Sequence, residues 1–187
     1  YANRKVYFDE HKTDYIYDIK TAKQDGVVAD DYYVWWGMED MYVFDYAKER
    51  LTELSKGDKP FAFTLLTADT HFPDGYACSM CEDEFSEQYD NVLACSGRQV
   101  AQFVSWIKKQ SFYDNTTVVI CGDHLSMDYR YIDRNVPENY ERAVYNCFIN
   151  PAKAPKNSKN RTFTSLDLFP TTLAAMGCEI KGDRLGL

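Results

Sequence analysis

One run of residues limits the possible folds more than any other. Thr117-Val118-Val119-Ile120 is β-branched throughout, closes on Cys121-Gly122, and delivers Asp123 and His124 immediately afterwards. Thr, Val and Ile favour a pleated strand, and glycine lets the chain turn where the strand stops. Asp123 and His124 are therefore predicted to stand just past the carboxyl end of a core strand, where open α/β sheets present ligand-binding groups. A second run repeats the design: Phe61-Ala62-Phe63-Thr64-Leu65-Leu66-Thr67 leads into Ala68-Asp69-Thr70-His71. Two of the three histidines in the chain thus close apolar runs, which sets them apart from chance surface dipeptides. A carboxylate oxygen beside an imidazole suits a divalent ion such as Mn²⁺ or Zn²⁺, so Asp123 and His124 are candidate metal ligands. His71 is a candidate hydrogen-bond or proton donor to an anionic group held nearby. Asp69 either orients His71 or caps its loop. The plainer alternative is that both histidines are surface residues satisfied by their own loops.

The stretches between these ends read as helices. Met41, Phe44, Ala47, Leu51 and Leu54 recur at helical spacing after Trp36-Gly37. Glu39 and Asp40 sit where the helix dipole favours acids, and Gly57 and Pro60 mark the stop. A second helix is predicted over 92–109, with Leu93, Val100, Phe103, Val104 and Ile107 facing inward. A third begins near Thr164, capped by Ser165 or Asp167, with Pro170 tolerated in its first turn and Gly177 closing it. Residues 144–149 read as a further strand and 15–17 as a short one, while 72–90 and 126–140 read as loops. Strands alternating with helices predict an α/β domain, a mostly parallel sheet with helices on both faces. Trp35 and Trp36 are core anchors or, at a helix entry, one wall of a substrate pocket.

Charge and cysteine usage narrow the surroundings. A net charge of −8 argues against a nucleic-acid or anionic-membrane footprint, which needs a basic face. No stretch approaches the roughly 20 apolar residues of a membrane span. The chain opens on Tyr1-Ala2-Asn3-Arg4 without a starting Met and reads as a piece of something longer. Cys78, Cys81 and Cys95 cluster in a polar region. They imply an oxidising compartment and one disulfide, in which Cys95 pairs with Cys81 or Cys78. Cys78-x-x-Cys81 is alternatively half of a zinc site, for which no second pair stands at the usual spacing. Cys121 and Cys147 are expected to be small buried hydrophobes. No Gly-x-Ser-x-Gly elbow, phosphate-binding glycine loop or Cys-x-Pro-x-Arg sequence supplies a nucleophile.

Taken in order, Trp36-Gly37, Asp69-Thr70-His71-Phe72-Pro73-Asp74-Gly75, Gly122-Asp123-His124-Leu125-Ser126-Met127, Leu166-Asp167-Leu168-Phe169-Pro170-Thr171 and Leu185-Gly186-Leu187 resemble the bacterial phosphoglycerol transferases of the sulfatase/alkaline phosphatase superfamily. The glucan-modifying periplasmic enzymes are the nearer branch and the lipoteichoic acid synthases the further one. The resemblance implies an alkaline phosphatase/sulfatase-like fold, with residues 1–187 forming the C-terminal part of the catalytic domain. The upstream half and membrane-anchoring helices would precede Tyr1, and the domain would sit on the outer face of the cytoplasmic membrane. It implies a divalent ion, Mn²⁺ first and Mg²⁺ or Zn²⁺ next, held in part by Asp123 and His124. It places His71 on the substrate phosphate, with Trp36 lining the phosphoglycerol pocket and Asp69 beside them. The threonine nucleophile and a further acidic ligand would lie upstream. The donor would be phosphatidylglycerol and the acceptor a glycan or a glycerophosphate polymer. Cys81 and Cys95 match cysteines flanking the same loop in the glucan-modifying branch, which favours that pair as the disulfide. A sulfatase or phosphodiesterase of the same superfamily is the alternative activity, and a non-catalytic ligand-binding fragment is the alternative of another class.

Overall fold

The computed structural model describes residues 3–34, 36–159 and 161–182. The chain divides into two units, Tyr1–Ser105 with Ser126–Val136, and Trp106–Leu125 with Pro137–Leu187.

The first unit is helical. Helix α1 spans Arg4–Glu10 and α2 spans Ile19–Gln24. Asp18 starts α2 by accepting from the Lys20 and Thr21 amides, which the first turn otherwise leaves without partners. Ala22 on α2 packs with Val28 and Met38 in a small apolar cluster. Helix α3, Asp40–Leu54, buries Asp40, Phe44, Ala47 and Leu51. This is the face its spacing predicts, and Phe44 meets Phe103 of the next helix with ring centroids 5.1 Å apart.

Helix α4, Gln88–Ile107, starts four residues before the predicted 92; of its predicted inward residues Ile107 is buried and Phe103 packs on Phe44, while Leu93 departs from the expectation. Tyr89, Val92, Cys95 and Gln99 are buried, whereas Leu93 is 42% exposed. The loop before the helix folds over that face and gives its polar members partners. Asn91 accepts from the Glu84 and Phe85 amides and donates to the Phe85 carbonyl. A polar residue satisfied in this way can be buried at little cost, so at the start of the helix Asn91 is buried where the apolar pattern selects Leu93. Residues 129–135, expected within a loop, form helix α5, Tyr129–Asn135, because Asp128 caps it by accepting from the Tyr131 amide.

In the second unit a 3₁₀ turn at Tyr113–Asn115 precedes strand β1, Val118–Cys121. It pairs with β2, Asn146–Ile149, in the register Val118↔Ile149 to Cys121↔Asn146. The pairing is antiparallel, and the expected sheet is mostly parallel without specifying this pair. Residues 61–67 and 15–17 join no strand, because a strand needs a ladder partner and none is present among the described residues. The two-stranded ladder leaves β1 half-buried and Cys121 exposed, contrary to the expectation of a buried thiol.

Helix α6 covers Ser165–Ala175. Thr164, rather than Ser165, is its cap, and Asp167 accepts from both the Thr164 amide and hydroxyl at 2.6 Å. Pro170 stands inside the helix and not in its first turn. It removes only the amide that would reach Leu166, and the helix continues past it. Gly177, at φ 85°, closes the end in the left-handed conformation that glycine adopts without strain. No described helix is long and apolar enough to cross a membrane.

Candidate active site

The loop that carries His71 is fastened to the start of α3 by two buried acids. Asp40 Oδ1 accepts from the Ala68 amide at 2.6 Å and the Asp69 amide at 3.2 Å, and Asp69 Oδ2 accepts from the Asp40 amide at 3.2 Å. Asp40 is 0% and Asp69 3% exposed. Burial disfavours the ionised form of both, and the neighbouring Asp40 charge adds to it, so the Asp69 carboxyl is pushed up to about 7. Of the two roles the sequence allows Asp69, the structure displays the cap. Its carboxylate goes to the α3 amide, and it can act on a substrate only through the loop.

Beyond Asp69 the chain doubles back. The Tyr76 amide donates to the Asp69 carbonyl at 2.7 Å, and the Phe72-Pro73 bond is cis. Gly75 sits at φ 63°, where an added Cβ would lie 2.7 Å from Val92 Cγ1 and 2.8 Å from the Asp69 carbonyl oxygen. Alanine there meets left-handed strain and a clash with backbone together, so Gly75→Ala is expected to destabilise the protein by about 3 kcal/mol. Urea unfolding of variant and parent at one pH measures it.

Two further ties hold the loop from the other side. The Asp74 amide donates to Asp128 Oδ2 at 2.8 Å. Tyr89 donates its hydroxyl to the Thr70 carbonyl at 3.0 Å and so accepts from the Ser126 hydroxyl at 3.3 Å. Asp128 and Ser126 follow Asp123-His124 in sequence yet belong to the first unit.

Within this frame the His71 ring lies against Trp36, centroids 4.1 Å apart, and against Phe72 at 4.8 Å. His71 Nδ1 is 2.7 Å from the Phe72 carbonyl. A carbonyl only accepts, so Nδ1 carries the hydrogen, and in the neutral ring Nε2 keeps the lone pair. The structure therefore brings together Trp36 and His71, both read from the sequence as substrate-contacting residues.

In the second unit Gly122 continues from β1, its amide donating to the Tyr145 carbonyl at 2.9 Å. Asp123 and His124 follow at the strand's carboxyl end as expected, with side chains 60% and 51% exposed. His124 uses the same device as His71: Nδ1 is 2.8 Å from the carbonyl of the next residue, Leu125. Nε2 thus bears the lone pair, and it lies 3.4 Å from Asp123 Oδ2. One hard oxygen and one imidazole nitrogen are donor types that divalent ions take. Among the described residues no third His, Cys, Asp or Glu joins them. His71 lies in the first unit and Asp123-His124 in the second.

Cys81 and Cys95, the pair expected to bridge, are thiols in this structure, and Cys78 stands beside both. Sequence reasoning missed Asp40 and Asp128 as organisers of the site. Asp40 was legible only as a first-turn acid, and Asp128 only as the residue following the second histidine motif.

The family model described as Sulfatase matches residues 1–178. Phosphoglycerol transferase I of Escherichia fergusonii is 32% identical over 149 residues, covering 74% of this chain and 19% of the relative. Phosphoglycerol transferase I of Xanthomonas axonopodis pv. citri is 29% identical over 182 residues, covering 92% of this chain and 25% of the relative. The crystal structure of a Vibrio parahaemolyticus protein in the alkaline phosphatase superfamily superposes with a TM-score of 0.62 at 23% identity, over 82% of this chain and 37% of that one. The chain therefore spans about a fifth to a quarter of the length of these curated relatives, and its fold is alkaline phosphatase/sulfatase-like.

Proposed function

This chain belongs to the sulfatase family, and from that premise we propose that it is the C-terminal part of the catalytic domain of an extracytoplasmic, membrane-anchored phosphoglycerol transferase. The enzyme moves glycerophosphate from phosphatidylglycerol to a hydroxyl of a glycan or glycerophosphate-polymer acceptor. The observation that carries this reading is the Asp123–His124 pair, with Oδ2 and Nε2 3.4 Å apart and the imidazole tautomer set by the Leu125 carbonyl. That donor set fits two ligands of a divalent ion, Mn²⁺ foremost, with Mg²⁺ or Zn²⁺ as alternatives, whose remaining ligands come from other parts of the protein. Such an ion, when bound, supplies positive charge to a phosphoryl oxygen.

The groups of this chain position and neutralise the phosphate. His71, with Nδ1 committed to the Phe72 carbonyl, offers Nε2–H to a transferring oxygen in its protonated form, and charge stabilisation of this kind is worth most in a water-poor site. Trp36 lies against that ring at a tilt of 41° and limits its rotation, and in this reading it walls the glycerol pocket. Asp69 is a positioning residue beneath the loop. A threonine outside this chain attacks phosphorus, diacylglycerol leaves as the alkoxide and takes up a proton, and the acceptor hydroxyl then displaces the threonine oxygen.

The intact protein, supplied with Mn²⁺, phosphatidylglycerol vesicles and a glucan acceptor, is expected to release diacylglycerol and label the glucan with glycerophosphate. Release of sulfate from an aryl sulfate without diacylglycerol would assign the sulfatase alternative. Phosphodiester hydrolysis without transfer would assign the phosphodiesterase.

A further inference from the structure

We infer that Cys78, Cys81 and Cys95 form a second metal site, for a thiophilic divalent ion of the zinc class, which fixes the loop after His71 to helix α4. The inference is independent of the transfer chemistry, since none of the three lies among the groups assigned to the phosphate.

The first argument is the spacing of the sulfurs. Cys78 Sγ lies 3.8 Å from Cys81 Sγ and 3.8 Å from Cys95 Sγ, and all three lie within 4.8 Å of one another. Zinc–sulfur bonds of about 2.3 Å at tetrahedral angles put neighbouring sulfurs about 3.8 Å apart. A disulfide draws two sulfurs to about 2.05 Å and has no use for a third.

The second argument is the group behind them. Gln99, 5% exposed on the turn after Cys95, directs Nε2 to Cys78 Sγ at 3.7 Å and to Cys95 Sγ at 3.5 Å. A thiol is a weak acceptor and a thiolate a strong one, so an amide donor shared by two sulfurs suits thiolates held by a cation. Burial pushes the Cys78 and Cys81 thiols up, so a cation is what would favour their thiolates. Binding exchanges three thiol protons, released to solvent, for one divalent ion. A groove lined by Cys78, Cys81, Glu82, Asp83 and Ser86 gives water or a carboxylate access to the fourth position.

The site also explains its place in the chain. Cys78 and Cys81 belong to the loop that begins at His71, and Cys95 belongs to α4, which holds that loop through Tyr89. An ion here closes a loop of irregular backbone onto a rigid element, as structural zinc does in small folds. The Cys81–Cys95 bridge expected from the sequence is the competing state of the same sulfurs.

The test is cobalt titration of the intact, reduced protein, read by absorption and not by activity. One Co²⁺ per chain is expected, with a thiolate-to-cobalt charge-transfer band and tetrahedral ligand-field bands that Zn²⁺ displaces. Cys78→Ser, Cys81→Ser and Cys95→Ser should each weaken binding at least about 100-fold, and Cys178→Ser should leave it unchanged. Gln99→Leu, which retains all three sulfurs, should keep the stoichiometry and weaken binding about tenfold; this variant keeps the test sharp if a serine variant fails to fold. Absence of the band in the folded, reduced protein overturns the site, as does a band of full affinity in Cys78→Ser. A zinc-free purified protein in which thiol labelling under denaturing, non-reducing conditions reaches four of the six cysteines also overturns it, and assigns the bridge.

Discussion

His124→Ala in the intact protein is expected to lower glycerophosphate transfer by about 1,000-fold or more, with little change in stability. The side chain is half exposed, and its hydrogen bond runs from Nδ1 to the next residue's carbonyl, so removing it leaves no cavity and orphans no buried group. What disappears is one of two donor atoms 3.4 Å apart. Loss of even a group that supports a metal ligand typically costs about 10–100-fold in affinity or activity, loss of the imidazole ligand itself costs at least as much, and charge stabilisation at the reacting phosphoryl group, worth about 10²–10³ per donor, goes with it. His71→Ala should cost about 100-fold or more in kcat, because His71 is assigned to the transferring oxygens and not to the ion. Metal content separates the two: it should fall in His124→Ala and hold in His71→Ala. The remaining histidine, His11 at the end of α1, bonds the Tyr7 carbonyl, and His11→Ala should transfer at the parental rate. Parental transfer by His124→Ala would remove the metal-ligand assignment, and equal loss of metal in both variants would merge the two roles.

The parts of this molecule that were legible in the sequence are those where one local signal decides. The inward face of α3 follows from apolar spacing alone, and the ends of β1 and α6 follow from Gly122 and Gly177. The strand-end placement of Asp123-His124 came from a local motif, whereas Trp36 and His71 were read as substrate-contacting through the family resemblance, and their ring contact had no local signature. What failed depends on distant chain. Residues 61–67 have strand composition but meet no ladder partner among the described residues. Leu93 obeys the helical pattern yet faces out, because the 72–87 loop buries Asn91 and Gln99 instead. Asp40 read as a helix-dipole acid; that it also holds the Ala68 and Asp69 amides 28 and 29 residues away has no local signature.

That last pair gives the second large effect, a dependence of stability on pH with an unusual sign. Asp69 accepts the Asp40 amide and faces the Asp40 carboxyl with both nearly closed to water. Its folded pKa is raised to about 7, from burial first and the Asp40 charge second. Below about pH 4 the group is protonated in both folded and unfolded chains, and its contribution is fully present. Between about 4 and 7 the unfolded chain releases the proton while the folded chain retains it, so the native state binds more protons and stability falls as pH rises. Across the whole window this amounts to about 4 kcal/mol. Asp69→Asn keeps an acceptor for the Asp40 amide, adds donors toward the Asp40 carboxyl, and cannot ionise. The variant should therefore match the parent near pH 4 and exceed its stability at pH 8 by several kcal/mol. Denaturant unfolding of both proteins at pH 5, 6.5 and 8 checks it, and the parent–variant difference cancels the titrating groups remote from the Asp40–Asp69 pair, among them Asp167, whose pKa is lowered by its Thr164 hydrogen bonds and whose slope has the opposite sign. A difference that stays constant from pH 5 to 8 would show that Asp69 ionises normally in the folded protein. The two acids would then be a solvated pair, and the His71 loop would be held by Tyr89, Asp128 and the Gly75 turn alone.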